Sequence, residues 1–461
     1  TVQTQPIHYN DSINPTHASL HGLIGSMAKE YPNWHIRLLD VEEGCDWPLT
    51  DMFTLPVDAE GNAWVYRNEE WYRQKLIPAQ GTKQEQTKYR HGGIYVVIGG
   101  TGGIGEVWSE YMIRTYQAQI IWIGRREKDA SLQDKIDRLA SLGPEPFYIA
   151  ADAKDRVALE RAYKEIKERF THIHGVIHSA IVLLDQSLER MDEERFYAGL
   201  SAKVDVSVRM AQVFGAEPLD FVLFFSSMNS FFKSSGQSNY VAGCTFKDAF
   251  AHQLAREWPC QVKVMNWGYW GSVGIVASDT YKKRMAQAGI GSIEPAEAME
   301  ALEALLAGSL NQVALLKVRN SKALNGMRFE GSIQLYPEQS NVKIESKSLR
   351  NRIVMPSIPI QNDASYFSIE EGNITTQSVT ETVKNTLMCI AAEVINVKRE
   401  DIDPDTELSE YGFDSIKLDE LSKRINQRYH LEITATLFLE HSTLTSFGEY
   451  LVEQFEQCLK A

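Results

Sequence analysis

The chain has 461 residues, of which 43% are hydrophobic and 23% charged, a composition typical of two to four globular domains with substantial cores. A formal net charge of −14 argues against a nucleic-acid partner and against binding to an anionic membrane surface. The sequence has no apolar run as long as a transmembrane helix, no recognisable signal peptide and five scattered cysteines, which together predict a cytoplasmic protein with reduced thiols.

Residues 1–90 are predicted to form a small α/β unit. The run HASLHGLIGSMAKE has the spacing of an amphipathic helix, and after a Pro-Asn turn the apolar residues at positions 36–39 predict a strand. Alternation in AWVYRNEEWYRQKL on both sides of Asn68 and Glu69 is typical of a β-hairpin.

Residues 91–331 change to short apolar strands, such as GIYVVIGG and QIIWIGRR, that alternate with helical segments. This alternation predicts an α/β fold with a doubly wound parallel sheet covered by helices on both faces. Residues 332–377 are polar, contain prolines and lack a clear period, so they are interpreted as a linker. Residues 378–461 are predicted to form a small acidic helical domain.

A glycine-rich turn, IGGTGGIG, stands between the first strand of this sheet and the following helix. Glycine permits positive φ and lets a pyrophosphate approach the backbone N–H groups at a helix N-terminus. A merely tight strand-to-helix turn is the alternative. The predicted dinucleotide-binding residues of this turn are Gly99, Gly100, Thr101, Gly102, Gly103, Ile104 and Gly105.

The end of the second strand bears on the choice of dinucleotide. It carries Arg125 and Arg126, with no acid before Glu127, and arginine suits a ribose 2′-phosphate whereas an acid would bind the 2′-hydroxyl. These residues favour NADPH over NADH, and a solvated basic turn is the alternative. Asp152, which follows the third strand, is included in the predicted cofactor site.

Ser227 and Tyr240 lie 13 residues apart in FFSSMNSFFKSSGQSNYVAGC. Downstream of a dinucleotide fingerprint, this pair resembles the short-chain dehydrogenase/reductase family. More closely, residues 1–325 resemble the ketoreductase domain of a bacterial modular polyketide synthase, because GVIHSA, FFSS, GQSNY and NWGYW stand where that family has similar strings. The resemblance implies a Rossmann-like catalytic half preceded by a degenerate N-terminal Rossmann half that is structural.

Reduction of a ketone needs a hydride at carbon and a proton at oxygen. Tyr240 would donate the proton, and Ser227 would hydrogen-bond the carbonyl. A phenol with an ordinary pKa near 10 needs a nearby ammonium to stabilise its phenolate. In polyketide ketoreductases that lysine comes from an earlier helix, and Lys203 matches its position. The position four residues after the tyrosine usually holds Asn in this family and here holds Cys244.

The segment VLLDQS resembles the LDD loop of B-type ketoreductases, with Asp185 as its third member and Leu184 in place of the first Asp. The tryptophan of A-type enzymes, eight residues before the tyrosine, is replaced by Phe232. The resemblance therefore implies B-type stereocontrol by Asp185 and a D-configured hydroxyl product.

Three histidines, His172, His174 and His178, lie close together at the approach to one predicted strand. A metal site there is disfavoured because no cysteine or acid ligand lies close by in the sequence, and no metal is expected.

Ser415 opens an apolar helical pattern in GFDSIKL, near the C-terminus. Its residue type alone would suit an N-cap, and a nucleophile would need a base that the local sequence lacks. The last 84 residues resemble an acyl carrier protein, on this motif, on four amphipathic segments and on FLEHSTLTSFGEYL. The resemblance implies a four-helix domain in which a phosphopantetheinyl transferase attaches 4′-phosphopantetheine to Ser415.

Together these resemblances imply a fragment of a synthase module that reduces a carrier-bound ketoacyl thioester with NADPH, with ketosynthase and acyltransferase domains elsewhere in the synthase. Three alternatives stay open. The reductase fold could be a silent scaffold beside a working carrier, the keto group could be at the α rather than the β carbon, or the enzyme could act on small free ketones. The sequence does not specify the acyl chain or the oligomeric state.

Overall fold

A computed structural model describes most of the chain and divides it into two compact units, Thr1–Gly331 and Ser332–Ala461. The described residues are 1–8, 11–44, 46–58, 60–79, 87–273, 279–319, 376–395, 399, 402–408, 411, 413, 415–429, 431, 433 and 437–459. The predicted linker of residues 332–377 lies outside the described residues as far as residue 375, and a helix begins at Thr376.

The first unit begins with a small mixed sheet and two helices. Their bounds are α1 Ser19–Glu30, β1 Leu39–Asp40, α2 Leu49–Thr54, β2 Trp64–Arg67 and β3 Glu70–Arg73. Strand β1 runs parallel to β2, and β2 pairs with β3 in an antiparallel hairpin. The hairpin turn lies at Asn68 and Glu69, as predicted, and both residues have positive φ, 51° and 65°, as a two-residue hairpin turn of this kind requires.

The first predicted strand is shorter than expected, because only Leu39 of positions 36–39 belongs to it. The backbone N–H of Ile36 still bonds back to the carbonyl of Trp34, so the chain is turning there. Pairing with β2 begins where Leu39 lies opposite Trp64. A strand therefore forms only over the short stretch that has a partner.

The main sheet has seven strands within the described residues, and all of its pairings are parallel. Its strands are β4 Ile94–Ile98, β5 Gln119–Gly124, β6 Phe147–Ala150, β7 Gly175–His178, β8 Phe221–Ser227, β9 Gln261–Trp267 and β10 Gln312–Leu315. Their spatial order is β6-β5-β4-β7-β8-β9-β10. The order reverses at β4, which lies between β5 and β7, and such a switch point opens a crevice at the carboxyl ends of the strands.

Helices cover both faces of this sheet. Their bounds are α3 Gly103–Tyr116, α4 Ala130–Ala140, α5 Arg156–Arg169, α6 Glu193–Ser201, α7 Val204–Phe214, α8 Asn229–Phe232, α9 Ser238–Glu257, α10 Asp279–Gln287 and α11 Pro295–Ala307. Val97 packs in one core with α3, α4 and α11, while its neighbour Val96 packs in a second core with α5, α7 and α9. Successive strand residues point to opposite faces, so this confirms the predicted doubly wound, Rossmann-like sheet.

The N-terminal part packs through α1 against α9, one of the helices that cover the main sheet. A Cβ atom at Gly22 would collide with the carbonyl group of Val241 and lie 2.5 Å from the backbone nitrogen of Ala242. Glycine disfavours a helix interior by about 1 kcal/mol relative to alanine. Its presence in α1 therefore reflects backbone-to-backbone contact between the two helices.

The second unit has four helices within the part of it that the structure describes, in agreement with the predicted four-helix fold. They are α12 Thr376–Ile395, α13 Ser415–Tyr429, α14 Leu437–Glu440 and α15 Leu444–Leu459. Leu387, Leu421, Ile425, Phe447 and Leu451 are fully buried in its apolar core. Across both units, no helix in the described ranges is long and apolar enough to cross a membrane.

The contact at Gly22 predicts that Gly22→Ala destabilises the first unit. We expect a loss of about 1–3 kcal/mol in the free energy of unfolding, because α1 and α9 must separate to admit the methyl group. Calorimetric unfolding of the full chain measures the loss. Leu20→Ala, on the exposed side of α1, is the matched control and should leave the transition of the first unit in place. Equal unfolding temperatures for Gly22→Ala and Leu20→Ala would contradict the close contact between α1 and α9 at Gly22.

Candidate active site

The glycine-rich turn leaves β4 at the switch point of the sheet and packs tightly on its neighbours. Gly99 has φ +82°, and a Cβ atom there would lie 2.7 Å from Cα of Ala180. A Cβ atom at Gly100 would collide with the ring of Trp122, and one at Gly105 would lie 2.9 Å from Cα of Gly100. The turn thus lies against β5 and the end of β7 with no room for side chains on its inner side.

The outer side of this turn faces the crevice. Gly102 is the exposed N-cap of α3, and Thr101, Gly103 and Ile104 are partly exposed around it. The N–H groups in the first turn of a helix have no partner inside the helix and favour an anionic ligand. The residues present therefore fit the pyrophosphate of a dinucleotide.

The remaining predicted cofactor residues also lie at carboxyl ends of strands. Arg125 and Arg126 follow β5 directly and are exposed, and Nε of Arg126 lies 3.4 Å from the carboxylate of Asp129. Asp152 follows β6 by two residues, and its Oδ1 accepts the backbone N–H of Lys154 at 3.0 Å. The positions of the two arginines fit recognition of a ribose phosphate.

The structure brings the three predicted catalytic side chains together. Ser227 is the last residue of β8, Tyr240 lies in the first turn of α9, and Lys203 is the N-cap of α7. Nζ of Lys203 lies 4.4 Å from the ring centroid of Tyr240, and the Ser227 side chain lies close enough to the Tyr240 hydroxyl to lower its pKa. An ammonium at this distance is close enough to stabilise a phenolate.

Burial raises the pKa of Tyr240 well above its ordinary value of 10, and the nearby Cys244 raises it further, while the hydrogen bond with Ser227 opposes the shift. The phenol therefore stays protonated at neutral pH. This is the form that a proton donor to a carbonyl oxygen needs.

Cys244 lies one helical turn after Tyr240, is fully buried and lies close enough to the phenol to raise its pKa. Burial raises the pKa of its thiol, and the charge of Lys203 opposes that shift. The sulfur is therefore a neutral thiol at physiological pH, a weak hydrogen-bonding group where the family usually has an amide.

A second buried lysine, Lys247, lies three residues after Cys244 in α9. Sequence analysis did not identify it. Nζ of Lys247 donates to the carbonyl of Phe225 at 3.0 Å and lies 3.3 Å from Nδ1 of His178. Burial and the charge of Lys203 lower the pKa of Lys247 well below its ordinary value. Burial is also the main cause that lowers the pKa of His178, and the charges of Lys247 and Lys203 lower it further.

His174 accepts the backbone N–H of Ile94 at 3.0 Å through its Nδ1. Its neighbour His172 lies beside it, with ring centroids 6.5 Å apart.

Hydrogen bonds connect the side chain of Asp185 to the segment before α9. Nε2 of Gln237 donates to its carboxylate, and Nδ2 of Asn229 donates to Oε1 of Gln237 at 2.5 Å. Asn239, next to the tyrosine, donates from Nδ2 to the carbonyl of Leu184 at 3.0 Å. Burial raises the pKa of Asp185, and the bond from Gln237 opposes the rise. The loop that carries Asp185 is thus fixed to the start of α9.

In the second unit, α13 begins at Ser415, and the side chain of Ser415 lies outside the described residues. Further along α13, Arg424 bonds Glu420 at 2.7 Å and Glu393 of α12 at 3.0 Å. The first turn of a 15-residue helix supplies the N–H groups that favour a phosphate beside its first residue.

Comparison with known proteins gives two family matches, the KR domain over residues 93–272 and the phosphopantetheine attachment site over residues 385–451. Polyketide synthase PksM of Bacillus subtilis (strain 168) is 58% identical over 346 residues, which are 75% of this chain and 8% of PksM. Polyketide synthase PksN of the same strain is 59% identical over 345 residues, 75% of this chain and 6% of PksN. A solved structure of A-type ketoreductases from a modular polyketide synthase is 25% identical with a TM-score of 0.64, and covers 71% of this chain and 70% of that one.

The chain therefore carries a KR domain followed by a phosphopantetheine attachment domain, and its relatives are bacterial polyketide synthases. This confirms the resemblance found in the sequence. The KR domain implies the use of NADPH, and the attachment domain implies a covalent 4′-phosphopantetheine. The chain spans less than a tenth of the length of the curated relatives named here.

Proposed function

We propose that this chain reduces the keto group of a ketoacyl thioester to a hydroxyl with NADPH, the thioester being carried on its own attachment domain. The observation that supports this most strongly is the convergence of Lys203, Ser227 and Tyr240. Ser227 lies at the carboxyl end of β8, on the same edge of the parallel sheet from which the glycine-rich turn leaves β4. We also propose the domain limits 1–90 and 91–331 for the two halves of the reductase, 332–377 for the linker and 378–461 for the carrier.

In this mechanism Tyr240 donates its phenolic proton to the carbonyl oxygen, and Ser227 hydrogen-bonds the same oxygen to hold the ketone in place. The Lys203 ammonium stabilises the phenolate that remains, since it lies over the ring within a buried site. Bound NADPH would supply the hydride at the carbonyl carbon. Its pyrophosphate would lie on residues 99–105, and Arg125 with Arg126 would bind the 2′-phosphate.

Cys244 motivates the competing idea of a silent reductase scaffold beside a working carrier. A neutral thiol is a weak hydrogen-bonding partner for Tyr240, and an active enzyme must return a proton to the phenolate after each turnover. The intact contacts of Lys203 and Ser227 with Tyr240 favour the active enzyme.

We further propose B-type stereocontrol and a D-configured product. Asp185 is fixed beside the start of α9 through Gln237, and Phe232 stands at the position of the A-type tryptophan. The similar solved structure is of the A type, so this proposal rests on the residues of the chain itself.

The carrier role is assigned to Ser415, the first residue of α13. A phosphopantetheinyl transferase would modify its hydroxyl, so that Ser415 needs no base of its own. The thiol of the arm would carry the ketoacyl group, and linkage to the reductase in one chain would raise its effective concentration at Tyr240. Ketosynthase and acyltransferase domains elsewhere in a cytoplasmic synthase would build the acyl chain.

Tyr240→Phe should abolish NADPH oxidation with a β-ketoacyl thioester surrogate, because phenylalanine has no proton to donate. We expect a loss of about 10²- to 10⁴-fold in kcat, with NADPH binding retained. Steady-state absorbance of NADPH and fluorescence titration measure the two effects. If the wild type reduces an α-ketoacyl surrogate but not the β-ketoacyl one, the keto group of its substrate is at the α carbon. No turnover with either would favour the silent scaffold.

Arg125→Ala should weaken NADPH binding by about tenfold to a hundredfold and leave NADH binding unchanged, because a charge-assisted bond to the 2′-phosphate is lost. Titration of the cofactor fluorescence with each nucleotide measures the ratio. Arg114→Ala, in an exposed i,i+4 ion pair of α3, is the control and should change neither affinity. Equal losses for NADPH and NADH would rule out recognition of the 2′-phosphate by Arg125.

Ser415→Ala should prevent attachment of 4′-phosphopantetheine, seen as the absence of the added mass after incubation with coenzyme A and a transferase. Turnover of a carrier-bound substrate should vanish, while turnover of a free surrogate should remain at the wild-type rate. Ser422→Ala, in the same helix, is the control and should be modified normally. Modification of the Ser415→Ala chain would refute the assignment of Ser415.

A further inference from the structure

A carboxylate of the N-terminal part lies between two loops of the catalytic part. Glu30, the last residue of α1, accepts the backbone N–H of Leu188 at 2.6 Å through Oε2 and the backbone N–H of Gly236 at 2.9 Å through Oε1. The two loop residues lie 158 and 206 positions away from Glu30 in the sequence. One side chain thus connects three distant segments.

One loop carries a residue of the candidate site, and the other leads directly into the helix that carries another. Leu188 directly follows the segment VLLDQS, which contains Asp185, and Gly236 lies four residues before Tyr240. The loops also contact each other, since the backbone N–H of Gln186 donates to the carbonyl of Gly236 at 2.8 Å. Movement of either loop would therefore change the position of Asp185 relative to Tyr240.

Further contacts hold the loop before Tyr240 on the N-terminal part. The Ser26 hydroxyl of α1 donates to the carbonyl of Ser234 at 3.1 Å. Nζ of Lys233 is fully buried and donates to the carbonyl of Gly61 at 3.1 Å and to Oδ1 of Asn62 at 2.8 Å. These bonds reach one loop each, whereas the Glu30 carboxylate reaches both.

The charge of Glu30 strengthens this bridge. The side chain is half-buried, and within the described residues it forms no salt bridge, so its carboxylate is bound by backbone N–H groups. Burial raises its pKa, and the bonds from Leu188 and Gly236 oppose the rise. A carboxylate makes stronger bonds to N–H groups than a neutral acceptor does.

We propose that Glu30 is a positioning residue that fixes the spacing between the loop that carries Asp185 and the loop that precedes Tyr240, and thereby sets the configuration of the hydroxyl product. This inference rests on the proposed ketoreductase function. It gives the N-terminal part, which contributes none of the residues assigned above to the catalytic or cofactor site, a role in stereocontrol.

Glu30→Ala and Glu30→Gln test the proposal, with Glu70→Gln as the control. Glu70 belongs to the same N-terminal part, is exposed, and accepts a bond from the Tyr72 hydroxyl at 2.8 Å. Glutamine at position 30 can accept one N–H through its oxygen, but its amide group opposes the other N–H. The glutamine variant should therefore give an intermediate effect.

The first readout is hydrogen exchange of the backbone, measured by mass spectrometry on the full chain. Peptides that contain Leu188 and Gly236 should both exchange roughly tenfold faster in Glu30→Ala, because the bonds that protect these N–H groups are lost. Neither peptide should change in Glu70→Gln. Unchanged exchange in Glu30→Ala would show that Glu30 does not hold the two loops. This readout needs no enzymatic activity.

The second readout is the ratio of the two hydroxyl configurations formed from a β-ketoacyl surrogate. Glu30→Ala should raise the minor configuration roughly tenfold and raise KM more than it lowers kcat, with NADPH affinity unchanged. A lower rate with unchanged product ratio would overturn the stereochemical role and leave Glu30 merely structural. If the wild type forms no product at all, the proposed function fails, and the exchange data alone decide whether Glu30 holds the loops.

Discussion

The burial of the Lys203 ammonium against the ring of Tyr240 is the contact on which the site depends. A buried ammonium is unfavourable unless nearby groups compensate for its lost hydration, and the face of an aromatic ring does so in part. The neighbouring Lys247 and His178 have pKa values lowered by burial and by the Lys203 charge. Lys203 is the cation that lies over the ring of Tyr240.

The position of Tyr240 depends in turn on α9, which is buried on several sides. Strands β8 and β9 cover one side of this helix, and α6, α7 and α1 cover others. A helix buried on several sides must be enclosed by other elements. This explains why a small N-terminal part without a cofactor site persists. Its close contact at Gly22 completes the burial of α9, and Glu30 reaches from the same helix to the loops around the site.

The sequence predicted the features that depend on local patterns. The glycine-rich turn, the hairpin turn at Asn68 and Glu69 and the alternation of strands and helices have short-range signals, and all three are present. The length of β1 could not be predicted, because it depends on pairing with β2. The contact of Lys247 with His178 joins residues 69 positions apart, and periodicity carries no information on such pairs. Glu30 had no signal either, since a glutamate at the end of an amphipathic helix is usually solvated.

The two units bury different kinds of residue, and the difference follows from their chemistry. The first unit buries Lys203, Lys247, His178 and Asp248 close to one another, at a large desolvation cost that folding alone does not require. In the described part of the second unit the buried side chains are apolar except for Ser422. A reductase must tune the proton affinity of its own groups, and perturbed groups concentrate at such sites. A carrier needs only a stable apolar core and an accessible hydroxyl, because other enzymes perform the chemistry on its arm.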